Sequence, residues 1–188
     1  IFGLSGLTLT AEEVKLIRRA DPLGFILFAR NIDNPQQVKG LTDSLKTLTG
    51  RDNLPILIDQ EGGRVARLVP PHWRVWPPAL DFAHAYAQSP ERGRAAAVCN
   101  YQALALDLAA LGISVNCAPV LDVPETGAHD IIGDRAFGAE PTMVAELGAA
   151  LLEGFALSGV VGVVKHIPGH GRALADSHEA LPRVTASI

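Results

Sequence analysis

The sequence predicts an α/β protein built on a parallel sheet, and three features of the chain point there. Unbroken apolar, β-branched runs recur at IFGL (1–4), LGFILFAR (23–30), LPILIDQ (54–60), ISVNCAPVLDV (113–123) and VVGVVKHI (160–167). Runs of this kind suit strands buried on both faces. Segments with helical start and stop signals lie between them, and strand alternating with helix is the pattern of a parallel sheet. Finally, charged or titratable residues close four of the runs, at Arg30, Asp59, Asp122 and the pair Lys165-His166. In a (β/α) barrel or an open α/β sheet, C-terminal strand ends converge on the ligand site, so these groups are expected to share one.

The intervening segments can be taken in order. Thr10 and Glu13 are spaced as a capping box ahead of VKLIRRA, which predicts the first helix. Asn34-Pro35 opens a second, with Val38, Leu41, Leu45 and Leu48 on one face and Gly50 where a C-terminal glycine belongs. Ser89-Pro90 opens a third that runs to Gly112, and Pro141 a fourth that ends before Gly159. The Pro-rich VPPHWRVWPPAL (69–80) is expected to be a long loop, with Trp73 and Trp76 packing rather than stacking on sugar. No internal repeat, low-complexity segment or linker interrupts the pattern.

Composition narrows the classes of function. With 188 residues and 48% hydrophobic side chains, the chain has material for one sizeable core. No apolar run reaches the roughly 18 residues of a membrane helix, and a signal-peptide layout is missing at the N-terminus, so a soluble, cytoplasmic protein is expected. A net charge of −4 without basic runs argues against nucleic acid and leaves a small molecule as partner. Cys99 and Cys117 sit among apolar residues without metal-ligand spacing and are expected to be buried free thiols.

The stretch VVKHIPGHGRALADSHEALP (163–182) holds three of the six histidines. As a metal site, His166 and His170 have helical i, i+4 spacing, but Pro168 and Gly169 oppose a helix and Lys165 would repel a cation, which leaves non-helical ligation with Asp176 and His178 as the metal alternative. A Ser-His-Asp triad from Asp176, Ser177 and His178 would have to come from adjacent residues, and no nucleophile elbow surrounds Ser177. The third possibility is a proton-handling pair: Asp176 and His178, two apart on an extended loop, can set carboxylate against imidazole. A plain structural salt bridge within the loop stands beside it.

Four motifs in order, DQEGGRVARL (59–68), APVLDV (118–123), IIGDRAFG (131–138) and KHIPGHGRALADSH (165–178), resemble glycoside hydrolase family 3. Within it they look most like the bacterial N-acetyl-β-glucosaminidase (β-hexosaminidase) branch that trims muropeptide sugars during cell-wall recycling. One departure is Ile167, where the family commonly has phenylalanine.

The resemblance implies a TIM-type barrel, of which residues 1–188 would form the N-terminal portion of a single barrel domain. About five strands are too few for a closed eight-stranded barrel of roughly 250 residues, so the chain is expected to be part of a longer one, with an exposed apolar sheet edge. By likeness, Asp59, Arg67, Arg135, Lys165 and His166 would hold the non-reducing N-acetylglucosamine. Asp176 and His178 would form the acid/base dyad of a retaining hexosaminidase, and the nucleophilic aspartate would lie downstream. Asp122 is a further binding or supporting carboxylate, Arg64 is expected in an ion pair behind the pocket, and His170 as a structural residue. No cofactor or metal is implied. Two alternatives stay open: a metal-dependent TIM-barrel hydrolase using His166, His170 and His178, and a remnant that binds N-acetylglucosamine without cleaving it.

Overall fold

A computed structural model describes residues 1–127 and 129–184. Strands and helices follow one another as β1 (Phe2–Gly3), α1 (Ala11–Ala20), β2 (Phe25–Leu27), α2 (Pro35–Thr49), β3 (Ile56–Ile58), α3 (Ala79–Gln88), α4 (Pro90–Ala110), β4 (Val115–Asn116), α5 (Pro141–Leu157) and β5 (Val161–Gly162). All strand pairs are parallel, and their order in the sheet is β1-β2-β3-β4-β5. A doubly wound sheet reverses its strand order at a switch point, whereas a barrel adds strands in sequence. The order here is that of a TIM-type barrel.

The helix ends carry the expected chemistry. The Thr10 side chain accepts from the Glu13 amide while Glu13 reaches back to the Thr10 amide, closing the capping box of α1. Asn34 and Ser89 cap α2 and α4 with Pro at the first turn, and Gly50 ends α2 at φ 67°. Glu140 does the same for α5, accepting from the amides of Thr142 and Met143. The sequence expectation misses α3, whose N-cap is Pro78 with no side-chain bond. The loop that starts at Val69 therefore ends at Pro78, and Ala79, Phe82 and Ala83 bury one face of the new helix.

Register shows which face of the sheet is covered. Phe25 pairs with Ile56, and Leu27 with Ile58, and all four are fully buried beneath the helices. The alternate row, Ile26, Leu57, Val115 and Val161, lies on the other face and is partly or fully exposed, with Val161 at 63%. The expectation of strands buried on both faces is thus corrected: the apolar runs are covered on one face only among the described residues, and β5 leaves an apolar edge. The cysteine expectation also needs correction, because Cys99 is exposed and Cys117 only half-buried. Burial pushes the Cys117 thiol up. Of the last stretch, ALPRVTASI, residues 185–188 lie outside those described. No helix is long and apolar enough to cross a membrane among the described residues.

The core centres on Tyr101, whose ring meets Phe82, Phe137 and Phe155 with centroids 5.3, 6.4 and 5.8 Å away. The pairs with Phe137 and Phe155 are edge-on, and such contacts add to the area they bury. Helices α4 and α5 approach closely at Gly154, where an added Cβ would sit 2.6 Å from the Val98 carbonyl oxygen. Gly154→Ala should force the helices apart and lower stability by about 1–3 kcal/mol, read as a drop in the urea midpoint. An unchanged midpoint would show that this contact is not tight.

Candidate active site

The site lies beyond the C-terminal ends of β3, β4 and β5, where the loops turn back over the sheet. After β3 the backbone is steered by uncharged groups. The Gln60 side chain accepts from the amides of Arg67 and Leu68 (2.8 and 2.9 Å) and donates to the Leu68 carbonyl. Its own amide and carbonyl are held by the Asn116 side chain from β4 at 2.9 and 2.8 Å. Gly62 and Gly63 take φ 98° and 54°, and a Cβ on Gly62 would lie 2.3 Å from the Pro77 carbonyl oxygen. Only glycine fits that turn, which folds residues 60–68 into a loop with Glu61 and Arg67 turned to the pocket.

On this frame the charged side chains form one continuous chain. Arg67 lies 3.6 Å from Asp59, and Asp59 accepts from Lys165 Nζ at 3.0 Å. Lys165 also meets Glu61 Oε1 at 2.6 Å. Glu61 grips Arg135 bidentately, through Nε at 2.8 Å and Nη2 at 2.9 Å. Arg135 sits in a 3-10 turn, Gly133–Arg135, and also donates to the Ile131 carbonyl. Burial alone would lower the Arg135 pKa, but the hydrogen bonds and charge of Glu61 outweigh it and raise it. Arg135 Nη2 then faces His166 Nε2 at 3.2 Å, and His166 Nδ1 lies 2.5 Å from Asp122 Oδ2.

Asp122 is buried and accepts the His170 amide at 2.6 Å. Burial pushes its carboxyl up, yet the bonds from His166 and His170 win and hold it below the ordinary carboxylate range. At the outer lip, Asp176 Oδ1 accepts from both the amide and Nδ1 of His178, at 2.9 and 2.7 Å. The His178 amide and side chain hold the Asp176 carboxyl below its usual range. His178 itself is exposed, at 79% of its side chain, against 14% for Asp176.

A cavity of about 320 Å³ joins these groups: Asp59, Glu61, Arg67, Arg135, Lys165, His166, His170 and His178 all line it. The residues read from the sequence as a sugar subsite are thus brought together, and His178 faces them with Asp176 in contact behind it. Arg64 is paired with Asp134 at 3.1 Å and with the carbonyls of Asp130 and Ile131. Arg30 is elsewhere: its Nε donates to the Leu4 carbonyl and its guanidinium covers Phe28. Sequence reasoning passed over Glu61, the carboxylate that joins Lys165 to Arg135. Its signal was an acid two residues beyond Asp59, in a motif already rich in arginine.

The three-histidine metal arrangement gains nothing from this geometry, because both nitrogens of His166 face other groups and one of those is a guanidinium. Among the described residues, no group of three or more His, Cys, Asp or Glu is placed to hold a metal ion.

Comparison with known proteins agrees with the motifs. Residues 4–188 match the glycosyl hydrolase family 3 N terminal domain. A beta-hexosaminidase of Methylobacillus flagellatus is 40% identical over 177 residues, covering 94% of this chain and 50% of that protein. One of Pseudomonas aeruginosa is 37% identical over 188 residues, covering 100% and 54%. The chain therefore spans about half the length of the curated relatives it matches. Among solved structures, NagZ from Neisseria gonorrhoeae in complex with N-trifluoroacetyl-D-glucosamine superposes with a TM-score of 0.92 at 35% identity, covering 100% of this chain and 54% of that one.

Two outcomes follow from the charge chain. Glu61→Gln keeps the shape but leaves Arg135 and Lys165 short of a counter-charge, and should cost about 3–5 kcal/mol in denaturant unfolding; a loss under about 1 kcal/mol would mean water or Asp59 compensates. Because the Asp122 carboxyl is held down in the fold, the stability it adds is complete above the ordinary range near about pH 4 and is lost as pH falls through its lowered value. Asp122→Asn should therefore flatten the acid limb of the stability curve, followed by unfolding at stepped pH.

Proposed function

The chain belongs to glycosyl hydrolase family 3, and on that premise we propose that the protein is a retaining exo-β-N-acetylglucosaminidase. The observation that carries this reading is one cavity in which a set of hydroxyl-binding charges faces a carboxylate-backed histidine. Asp59 accepts from sugar hydroxyls, while Arg67, Arg135 and Lys165 donate to them and His166 completes the wall. A polar sugar then exchanges water for directed, charge-assisted bonds and loses little on entering.

His178 handles the proton. With Asp176 accepting at Nδ1, the Nε2 edge is left for substrate. In the first step Nε2–H protonates the glycosidic oxygen as the leaving group departs and a carboxylate attacks the anomeric carbon. In the second, the neutral Nε2 takes a proton from the water that attacks the glycosyl-enzyme, releasing the sugar. The carboxylates around the cavity already have partners: Asp59 in Lys165 and Arg67, Glu61 in Arg135 and Lys165, Asp122 in His166, Asp176 in His178. By the likeness to the family branch, we place the nucleophile in a part of the protein outside residues 1–188.

The substrate class is saccharides ending in non-reducing N-acetyl-β-glucosamine, with cell-wall muropeptide fragments favoured by the branch the motifs resemble. The solved gonococcal relative bound to an N-acylated glucosamine supports the sugar.

The test is hydrolysis of an aryl N-acetyl-β-glucosaminide by the full-length protein, in buffer containing a chelator. Turnover should persist, and His178→Ala should lower kcat by about 10²–10⁴. Sugar binding without turnover in the wild type would favour a binding remnant instead, and activity that disappears with chelator would favour the metal-dependent alternative.

A further inference from the structure

Asp122 occupies a position that sugar binding alone does not explain. Its side chain is 1% exposed, so it does not meet substrate directly. One carboxylate oxygen receives His166 Nδ1, a pocket-wall group, and the other receives the backbone amide of His170, at the base of the loop that leads to Asp176 and His178. Around it the two chain segments are laced together. Val120 bridges to Lys165, the Leu121 amide donates to the Lys165 carbonyl at 2.7 Å, and the Glu125 amide to the Gly171 carbonyl at 2.9 Å. Gly171 packs so closely that an added Cβ would lie 2.0 Å from the Val123 carbonyl oxygen.

The hydrogen-bond chemistry then fixes the His166 ring. A guanidinium only donates, so the Nε2 that faces Arg135 Nη2 at 3.2 Å must accept. The ring proton is thereby placed on Nδ1, where it is given to Asp122. Glu61 holds Arg135 from the far side. An unbroken path of directed bonds thus runs from the sugar-facing cations, through His166, to Asp122 and into the dyad loop.

We propose that Asp122 is a positioning residue, coupling the sugar-holding wall to the loop that carries the Asp176–His178 dyad. Resting on the hydrolase reading above, it adds that substrate gripped at Arg135 and His166 and the proton delivered by His178 are held in register by one carboxylate. Asp122→Asn isolates this role. The asparagine oxygen can still accept the His170 amide, but its NH₂ meets the Nδ1–H of His166, donor against donor. Moving that proton to Nε2 only transfers the clash to Arg135.

The experiment compares wild type and Asp122→Asn of the full-length protein on two N-acetyl-β-glucosaminides, phenyl and 2,4-dinitrophenyl, through kcat/KM. Phenolate leaves only with help from an acid, whereas dinitrophenolate leaves with little. A displaced His178 should therefore cut the phenyl substrate about tenfold or more beyond any loss on the dinitrophenyl one. A general structural weakening would lower both by the same factor, and that result, or an unchanged phenyl rate, overturns the proposal. A wild type inactive on both substrates would instead sink the hydrolase reading itself. Should the variant fail to fold, nitrogen NMR of ¹⁵N-histidine-labelled wild type decides the matter, with His166 assigned from the spectrum of His166→Gln. A protonated Nδ1 and a bare Nε2 are expected, and the reverse tautomer overturns the proposal.

Discussion

The constraint on which the rest of this structure depends is the alternation of charge across three strand ends. Arg67, Asp59, Lys165, Glu61 and Arg135 follow one another as cation, anion, cation, anion, cation, each within reach of the next. Taking such groups out of water costs several kcal/mol apiece, and mutual attraction offsets that only while every member is present. The chain is therefore a cross-link that works as a set. It ties the loop after β3 to the turn at Gly133–Arg135 and to the segment after β5, none of which is close in sequence.

The pairing also divides the pocket by rigidity of purpose. Its floor is internally paired and largely shielded, with Glu61 at 6% exposure, while His178 stands in solvent at the lip. On the proposed reading, a sugar held by such a floor needs no rearrangement of charges, since the charged groups are already set by their partners. In the proposed reaction the proton must come and go, and its proposed carrier, His178, sits where water can reach it. That separation is what one expects when one region binds and another exchanges protons with the medium.

Much of this was legible in the sequence, and the failures have physical reasons. Helices α1, α2, α4 and α5 announce themselves because Thr10, Asn34, Ser89 and Pro141 are local signals that need no knowledge of the fold. α3 has no such signal, since Pro78 caps nothing and only the spacing of Ala79, Phe82 and Ala83 betrays its buried face. The polar strand ends brought Asp59, Lys165 and His166 together on paper, but Arg30 has the same local pattern and turns to the Leu4 carbonyl instead. Glu61 escaped because its meaning is relational: it matters only once Arg135, 74 residues away, is beside it. Cys99 was misjudged because apolar neighbours along a helix say nothing of which side faces out. The apolar strand runs were misjudged for a similar reason, since a run of valines records what could be buried, not what covers it.

The alternating charges also restrict how this pocket can change over generations. A substitution at Lys165 leaves Asp59 with Arg67 alone and Glu61 with Arg135 alone, and one at Glu61 takes the carboxylate from Arg135 and leaves Lys165 to Asp59. A single change of sign on the floor therefore carries a desolvation cost that a charge-keeping exchange avoids. Beyond His178, residues 179–184 make no ion pair with the floor among the described residues, so change is less constrained there.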